Sequence, residues 1–373
     1  MANKHSFILV MLLVLILFCS CQPLSQTTKP TPKAQETLEI SSTPTFVTVT
    51  PSFASIPTPE ILSYKNFEDL YEKILSFPAG KTGFPYQGGD VADMEISGPN
   101  AFAIFSDGRY VIADLIDNRL WIFNSDGEQI KIIDLSALDI LNVSDLHVYK
   151  DEIYVLEIYL DPPIHYRINR LSPDGKRMMY YDIPEGYRLE NGLTGFMIDC
   201  DGKLLLELMG HLQALPMANE NQTASSDSTH YQCNHLSYYV QDIQPGENPK
   251  LIAGPFTMST TLTFGLGGIS LLKVLPDGSF FVVRSDVVND KVIQVDDTVH
   301  YISAQGIQLG VARVPVGERY YYVKRNLAVG PDGNVYCLLP EPDSINILRL
   351  KFYSSLDPLV PGAEPPTVTQ IHP

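Results

Sequence analysis

Residues 105–123 read FSDGRYVIADLIDNRLWIF, and residues 329–348 read VGPDGNVYCLLPEPDSINIL. Each stretch places an Asp-Gly turn between two apolar runs, and a polar loop and a third apolar run follow. The pattern returns in shorter form at residues 198–206 (IDCDGKLLL) and 274–283 (VLPDGSFFVV). A strand-turn-strand unit that recurs every few tens of residues is typical of a β-propeller or a solenoid. The repeat therefore predicts an all-β domain.

The pattern can be followed along the chain through five units of short strands joined by tight turns. The first turns of these units fall at Gly108, Glu152, Gly202, Gly278 and Gly333. Four antiparallel strands joined by tight turns make one propeller blade. Residues 61–97, together with the segment between the third and fourth units, have room for a sixth blade with a weaker pattern. We therefore predict a β-propeller of four-stranded blades, six in number, of which five repeats are legible.

The beginning of the domain carries two further predictions. The fifth unit lacks a clear fourth strand, and a strand from within residues 84–97 could supply it and so remove exposed sheet edges. Residues 66–76 (NFEDLYEKILS) place apolar side chains at helical spacing. This spacing predicts a short amphipathic helix that opens the domain.

A polar insertion at residues 210–233 interrupts the third unit. We assign residues 236–242 and 250–253, which follow it, to the outer strands of the same unit. Long propeller loops commonly cover or extend a binding face. A disordered excursion is the alternative for this insertion.

Three cysteines lie in the repeat region. Cys200 and Cys233 flank the insertion and are the candidate disulfide pair of an exported protein. Cys337 lies in a strand run and is expected to be a small buried residue. No spacing of Cys or His supports a zinc site. No cofactor is therefore predicted, although a structural calcium ion is compatible with the fold.

The N-terminus carries a secretory signal. An unbroken apolar run covers residues 7–18 after Lys4, which predicts a signal peptide at residues 1–20. This run is shorter than the roughly 20 residues that a membrane-spanning helix needs. The stretch ending in Ser20 and Cys21 resembles the lipobox of bacterial lipoproteins. The resemblance implies that Cys21 is lipidated and anchors the protein to the outer face of a bacterial membrane; ordinary secretion is the alternative.

Composition divides the rest of the chain. Residues 21–60 are rich in Thr, Ser and Pro and are predicted to form a disordered tether that follows the lipidated cysteine. Residues 61–357 form the predicted propeller domain, and residues 358–373 a Pro-rich tail. The formal net charge of −17 argues against nucleic acid as a partner, because phosphate binding relies on clustered Lys and Arg. Membrane contact is expected through the lipid anchor only.

The first repeat resembles an NHL-type repeat. That pattern has an Asp-Gly turn, an apolar strand ending in Asp, a polar loop with Asn-Arg, another apolar strand and a second Asp-Gly. The matching residues are Asp107, Gly108, Val111, Asp114, Asn118, Arg119, Phe123, Asp126 and Gly127. The resemblance implies a six-bladed propeller rather than any one activity.

Four charged residues lie near the ends of the second strands of their units: Asp114, Glu157, Glu207 and Arg284. Propellers bind ligands on the face around their central channel, so these residues are the candidate ligand-binding residues at the channel rim. A ring of acids there could hold a cation, as in the calcium-dependent propeller lactonases and esterases. The structural alternative is that Asp114 accepts hydrogen bonds from backbone between blades and pairs with Arg119.

Adjacent tyrosines offer a second kind of contact surface. They occur at positions 180–181, 238–239 and 320–322. Because neighbouring side chains in a strand face opposite ways, each group should provide one core ring and one exposed ring. Exposed rings could contact a protein or a carbohydrate, although ordinary sheet-surface tyrosines are the alternative.

No catalytic signature appears in the chain. It lacks a Gly-x-Ser-x-Gly motif and a Gly-rich phosphate loop, so no catalytic residue is assigned. We therefore expect a lipid-anchored, extracytoplasmic, non-catalytic module that binds a protein or carbohydrate ligand at the cell surface. The alternative is a metal-dependent propeller hydrolase, which predicts that several carboxylates converge around one cation.

Overall fold

The computed structural model describes most of the predicted domain. The described residues are 59–62, 70–80, 83–88, 96–160, 165–189, 192–208, 211–215, 230–234, 236–241, 249–254, 256–259, 267–289, 294–315 and 320–357. The predicted signal peptide, Cys21, nearly all of the tether and the C-terminal tail lie outside them. Within the described part of the chain, no helix has both the length and the apolar character needed to cross a membrane.

The described residues contain 25 β-strands and two short 3₁₀ turns, at Ser136–Leu138 and Glu185–Tyr187. The first ten strands are β1 (Ile61–Leu62), β2 (Tyr71–Pro78), β3 (Ala101–Ile104), β4 (Tyr110–Asp114), β5 (Arg119–Phe123), β6 (Gln129–Asp134), β7 (Val143–Tyr149), β8 (Glu152–Tyr159), β9 (His165–Leu171) and β10 (Arg177–Asp182). The next seven are β11 (Leu193–Ile198), β12 (Leu204–Leu208), β13 (His211–Ala214), β14 (Tyr231–Cys233), β15 (Leu236–Gln241), β16 (Lys250–Ala253) and β17 (Phe256–Ser259). The last eight are β18 (Gly267–Val274), β19 (Phe280–Asn289), β20 (Gln294–Ile302), β21 (Gln308–Arg313), β22 (Leu327–Val329), β23 (Val335–Pro340), β24 (Ser344–Leu350) and β25 (Phe352–Tyr353).

These strands form six sheets, which are the blades of a six-bladed β-propeller. Blade 1 is β3-β4-β5-β6, blade 2 is β7-β8-β9-β10, blade 3 is β11-β12-β13, and blade 4 is β14-β15-β16-β17. Blade 5 is β18-β19-β20-β21 with β25 and β1 added at its outer edge, and blade 6 is β22-β23-β24-β2. Neighbouring strands are antiparallel except for β1 and β25, which are parallel. The predicted all-β propeller is confirmed.

The hydrophobic core lies between neighbouring blades because each blade is covered on both faces. In β4, Val111 and Ala113 pack towards blade 2, whereas Tyr110 and Ile112 pack towards blade 6. Successive side chains of a strand point to opposite faces, so a strand buried on both faces reads as a continuous apolar run. Five such clusters of buried side chains follow one another around the ring. This packing explains the apolar runs of the repeat.

The Asp-Gly turns join the first two strands of four blades. Gly108, Gly202, Gly278 and Gly333 all have φ between 75° and 88°, in the left-handed region where glycine lacks the steric penalty of a Cβ atom. The aspartate before the glycine helps to fix the turn, as when Asp332 Oδ1 accepts a hydrogen bond from the Asn334 N–H at 3.1 Å. Turn geometry therefore accounts for the most repeated feature of the sequence.

The sixth blade, blade 4, lies between the third and fourth repeats of the sequence. We assigned residues 236–242 and 250–253 to the third unit, and this assignment is wrong. Strands β15 and β16 instead pair with each other and with β14 and β17. The predicted insertion also contains strand at both ends, β13 and β14, while residues 216–229 lie outside the described residues.

The ring is closed by an N-terminal strand, as predicted, but from an earlier segment than residues 84–97. Strand β2 pairs with β24 and supplies the fourth strand of blade 6. The helix predicted for residues 66–76 is wrong in its described part, because Tyr71–Pro78 is a strand; residues 66–69 lie outside the described residues. A register shift between Lys73 and Leu75 lets the adjacent residues Ile74 and Leu75 both pack against the core. This bulge produces an apolar spacing that resembles a helical one.

Candidate functional site

A group of three charged side chains joins three blades of the propeller. Arg325, which precedes β22, donates from Nε to Asp145 Oδ1 at 3.0 Å and from Nη2 to Asp145 Oδ2 at 2.6 Å. The same Nη2 lies 3.3 Å from both carboxylate oxygens of Glu207. Asp145 lies on β7 of blade 2, and Glu207 lies on β12 of blade 3. We call Asp145, Glu207 and Arg325 the axial ion cluster.

A glycine in the inner strand of blade 3 leaves room for this cluster. Gly195 pairs with Glu207 across β11 and β12. A Cβ atom at Gly195 would lie 2.5 Å from Glu207 Oε2 and 2.7 Å from Asp145 Oδ2. Such distances are closer than van der Waals contact, so a larger residue would have to displace a carboxylate.

The backbone around Arg325 extends the connection to a fourth blade. The Arg325 N–H donates to the Asn100 carbonyl at 3.1 Å, and the Arg325 carbonyl accepts from the Phe102 N–H at 3.2 Å. These bonds join the start of blade 6 to the first strand of blade 1. One residue therefore connects blades 6, 1, 2 and 3.

Burial and the Arg325 charge act in opposite directions on the two carboxylates. Burial alone would raise the pKa of Asp145, but the charge and hydrogen bonds of Arg325 hold it well below its usual range. Burial raises the pKa of Glu207, and Arg325 offsets only part of this effect. Asp145 is therefore a fixed anion, and its side chain is 0% exposed.

His147 lies next to the cluster on the same strand as Asp145. Its Nε2 is 3.9 Å from Asp145 Oδ2 and has no hydrogen-bond partner in the described structure. Burial and the nearby Arg325 charge lower the pKa of His147 to about 3, and the charge of Lys273 also contributes. The imidazole is therefore neutral over the physiological pH range.

A cavity of about 510 Å³ opens beside the axial ion cluster. Glu207, Lys324 and Arg325 provide charged groups, and residues such as Met197, Leu251 and Leu271 provide apolar walls. Its size lies within the range typical of small-molecule sites. We call this space the axial cavity.

Tyrosines from two predicted groups line the axial cavity. Tyr322 is 66% exposed, whereas the preceding Tyr321 is buried and donates to the Pro99 carbonyl. Tyr238 is 1% exposed, and its hydroxyl has no hydrogen-bond partner in the described structure. Burial raises the pKa of Tyr238, so this hydroxyl keeps its proton. The cavity wall thus includes one exposed ring, that of Tyr322, and one buried ring, that of Tyr238.

Two of the four predicted site residues have local partners. Asp114 accepts hydrogen bonds from the Ile116 and Asp117 N–H groups and from Trp121 Nε1, at 3.0 to 3.2 Å. Its partners lie in its own blade rather than between blades. The structural alternative that the Arg119 side chain pairs with Asp114 is also wrong: the two residues are partners in the β4–β5 ladder, but the Arg119 guanidinium forms its ion pair with Asp117.

Glu157 is buried and, like Asp114, has its own hydrogen-bond partners. It accepts from the Leu141 N–H at 2.9 Å and from Asn169 Nδ2 at 3.0 Å, and His165 Nε2 lies 3.0 Å away. Through Leu141, these contacts attach the end of β8 to the segment that connects blade 1 to blade 2. Glu157 is therefore not among the residues that line the axial cavity.

Arg284 lies at a different cavity. Its Nε is 2.7 Å from Asp286 Oδ2, and it lines a polar cleft of about 450 Å³ with His300 and Arg313. The structure therefore places only Glu207, of the four predicted residues, at the axial cavity. Ends of second strands share one face of the propeller, but each blade surrounds its own end with different neighbours.

The structure adds Asp145, Gly195 and Arg325, which the sequence reasoning missed. Asp145 is an acid inside the strand run VSDLHV, and Arg325 stands immediately before an inner strand. A charged residue within an otherwise buried strand requires a partner, and this requirement was the available signal. Among the described residues, no group of three or more His, Cys, Asp or Glu side chains is arranged to hold a metal ion.

A disulfide joins Cys200 and Cys233, with their Cα atoms 5.1 Å apart. It connects the first turn of blade 3 to the inner strand of blade 4. Cys337 is buried in β23.

No family model matches the chain, and no curated protein matches it. The similarity of the first repeat to NHL-type repeats therefore stays a prediction. Among solved structures, the chain is similar to virginiamycin B lyase from Staphylococcus aureus (12% identity, 72% of this chain and 99% of that chain, TM-score 0.40). It is also similar to a PQQ-bound aldose sugar dehydrogenase from Streptomyces coelicolor (9%, 72% and 98%, 0.43) and to a glucose dehydrogenase (11%, 76% and 99%, 0.42). At these values the likenesses carry no argument about activity.

Proposed function

We propose that this propeller is a non-catalytic module that binds a glycan in the axial cavity. The observation that supports it most directly is the composition of the cavity wall: an exposed Tyr322 ring beside Arg325, Lys324 and Glu207. Sugar rings present C–H faces that pack on aromatic rings, and their hydroxyl groups both donate and accept hydrogen bonds. A concave site of this volume suits a short oligosaccharide better than the broad surface of a folded protein.

The state of the carboxylates favours binding over glycoside hydrolysis. Hydrolysis generally uses two carboxyl groups that both reach the scissile bond. Asp145 is fully buried and held by Arg325, so Glu207 is the carboxylate that a ligand in the cavity can contact. We therefore expect the bound glycan to be released unchanged.

We further propose that the module works outside the cytoplasm and is anchored through a lipid on Cys21. The disulfide between Cys200 and Cys233 supports export, because such bonds persist in oxidising compartments. A Cys21→Ser variant should lose the lipid mass and leave the membrane fraction, whereas Cys19→Ser should retain both. Retention by Cys21→Ser would contradict the anchor.

Calorimetric titration against a panel of soluble oligosaccharides tests the binding proposal. Replacement of the exposed ring in Tyr322→Ala should weaken binding by about tenfold, because stacking on an aromatic face is worth on the order of 1 kcal/mol or more. Tyr180→Ala is the matched control, since Tyr180 is 46% exposed on the outer strand β10. EDTA should leave the affinity unchanged.

Three outcomes would contradict the proposal. Equal losses of oligosaccharide affinity in Tyr322→Ala and Tyr180→Ala would show that the axial cavity is not the binding site. Release of new reducing ends from a bound oligosaccharide would indicate a hydrolase. Binding of a protein partner that oligosaccharides do not displace would favour a protein ligand.

A further inference from the structure

The axial cavity and the adjoining inner strands carry more cationic than anionic side chains, although the whole chain has a formal net charge of −17. Three cations, Arg325, Lys324 and Lys273, accompany two carboxylates, Asp145 and Glu207. Both carboxylates are bound to Arg325. Neither carboxylate forms its ion pair with Lys324 or Lys273.

Lys324 lines the cavity without a carboxylate partner among the described residues. Its Nζ donates to Ser144 Oγ at 2.9 Å. Burial lowers the pKa of Lys324, and the attraction of Asp145 offsets only part of that effect. A neutral hydroxyl compensates a buried ammonium group less than a carboxylate does, so Lys324 would gain from a second acceptor.

Lys273 lies on β18, three residues beyond Ser270 of the cavity wall. It is solvent-exposed, yet the surrounding protein lowers the pKa of its ammonium group by desolvation, with no carboxylate offsetting this effect. Lys273 is exposed on the inner strand of blade 5, and the inner strands of the blades border the central channel.

We infer that the glycan bound in the axial cavity is acidic, with a carboxylate or sulfate group held by Lys324 and attracted by Lys273. This inference rests on the proposed glycan-binding function and narrows its ligand class. An anion in the cavity would satisfy Lys324 and balance the local positive charge.

Two matched pairs of probes distinguish the two acidic groups. Trigalacturonate and its fully methyl-esterified form share one sugar backbone and differ in the carboxylate charges, which the methyl esters remove. A sulfated neocarratetraose and its desulfated form differ only in sulfate. Each is titrated calorimetrically into the disulfide-bonded protein at two NaCl concentrations. Binding of at least one acidic probe about tenfold or more tighter than its neutral counterpart is expected, with weaker binding at the higher salt concentration.

Three variants test the assignment to the lysines. Lys324→Gln and Lys273→Gln should each reduce the ratio of the affinities for the acidic and neutral probes by about threefold to tenfold, because each variant removes one positive charge. Lys176→Gln is the matched control, because the Lys176 side chain is 84% exposed at an outer turn. Thermal unfolding checks that each variant is folded, and the salt dependence of the unmodified protein tests the charge independently.

The outcomes separate the two proposals. Equal affinity for the acidic and neutral members of both pairs would overturn the acidic-ligand inference and leave glycan binding in place. Acid preference that Lys176→Gln reduces as much as the two channel variants would also overturn it. Absence of binding to all four probes would overturn both proposals.

Discussion

Arg325 makes contacts with three other blades through its side chain and its backbone. Its guanidinium holds two carboxylates from different blades, and its backbone joins two more blades. The planar fork of an arginine suits this geometry, because it presents several donors in fixed directions. Asp145 depends on it, since no other positively charged side chain donates to that buried carboxylate among the described residues.

Removal of this guanidinium should destabilise the propeller. Arg325→Met leaves Asp145 buried and uncompensated, which should lower the free energy of unfolding by about 3–5 kcal/mol. Urea unfolding followed by circular dichroism measures the loss. Arg119→Met is the matched control, because the Arg119–Asp117 pair is exposed and should contribute less than about 1 kcal/mol. Equal losses for the two variants would contradict the role of the cluster.

The axial ion cluster also depends on the absence of a side chain at Gly195. Gly195→Ala should lower the free energy of unfolding by about 1–3 kcal/mol, because the new methyl group would force a carboxylate of the cluster to move. Gly186→Ala serves as the control, since a Cβ atom there meets nothing within 4 Å. A neutral result for Gly195→Ala in urea unfolding would show that the cluster adjusts freely.

His147 should make the stability depend on pH. Its folded-state pKa is about 3, against an ordinary 6.5, so below pH 6.5 the unfolded chain takes up a proton that the folded chain does not. Its contribution to stability is complete above pH 6.5 and decreases as the pH falls towards 3. Between pH 7 and pH 5 it should account for a loss of about 1–2 kcal/mol.

The neighbours that set this pKa are Arg325, Asp145 and Lys273. His147→Gln removes the titrating group, so the variant should lose less stability than the unmodified protein between the same two pH values. Unfolding by urea at pH 7 and pH 5 provides the comparison. If the free energy of unfolding changed equally with pH in the two proteins, His147 would not be a source of the pH dependence.

At the scale of elements, the repeated hairpins were predictable and the exceptions were not. An Asp-Gly turn requires a left-handed residue, and glycine marks that position in the sequence. Blade 4 makes its first turn with Asn234, at φ 51°, and blade 2 uses Lys150 and Asp151. The blade 2 turn is predicted from the long apolar strands on both sides of it, whereas Asn234 follows a strand of only three residues and does not mark its turn in the sequence. Blade 4 was therefore divided between the third unit and an insertion.

The site was less predictable than the fold because its members come from distant parts of the chain. Arg325 and Asp145 are 180 residues apart in sequence. Local patterns of charge and hydrophobicity specify strands and turns, but they contain little information about which strand ends meet. Glu207 was identified from its position at a strand end, whereas Gly195 has meaning only through the side chains opposite it.

The disulfide should stabilise the least regular part of the ring. It closes a segment with a sequence separation of 33 residues, and cross-links of this span contribute about 3–4 kcal/mol in the chain-entropy account. Replacement of both cysteines in Cys200→Ser/Cys233→Ser should lower the unfolding midpoint, and so should reduction of the unmodified protein. The reductant should have no further effect on the double variant. A midpoint unaffected by either treatment would contradict the prediction.

At the scale of the molecule, the fold depends on strand β2, which joins a sheet made otherwise from the end of the chain. Its pairing with β24 covers an edge of blade 6 and completes the ring. A protein lacking residues 1–58 should unfold cooperatively with an unchanged midpoint. Removal of residues 1–80 should lower the midpoint strongly and raise sensitivity to protease.

Thermal unfolding and limited proteolysis compare the two truncations. Equal midpoints would mean that the ring stays closed without β2. Loss of folding in the shorter truncation would instead assign a structural role to the segment before residue 59.

The parallel pairing of β1 with β25 has a mechanical consequence. A pulling force applied to the chain at residue 61 first loads the short Ile61–Leu62 strand at the outer edge of blade 5 and then Tyr71, the leading end of β2. The tension therefore reaches the closing strand before it reaches any hairpin formed within a single blade. A molecule tethered through its N-terminus would open at the seam of the ring, with most of its blades still folded.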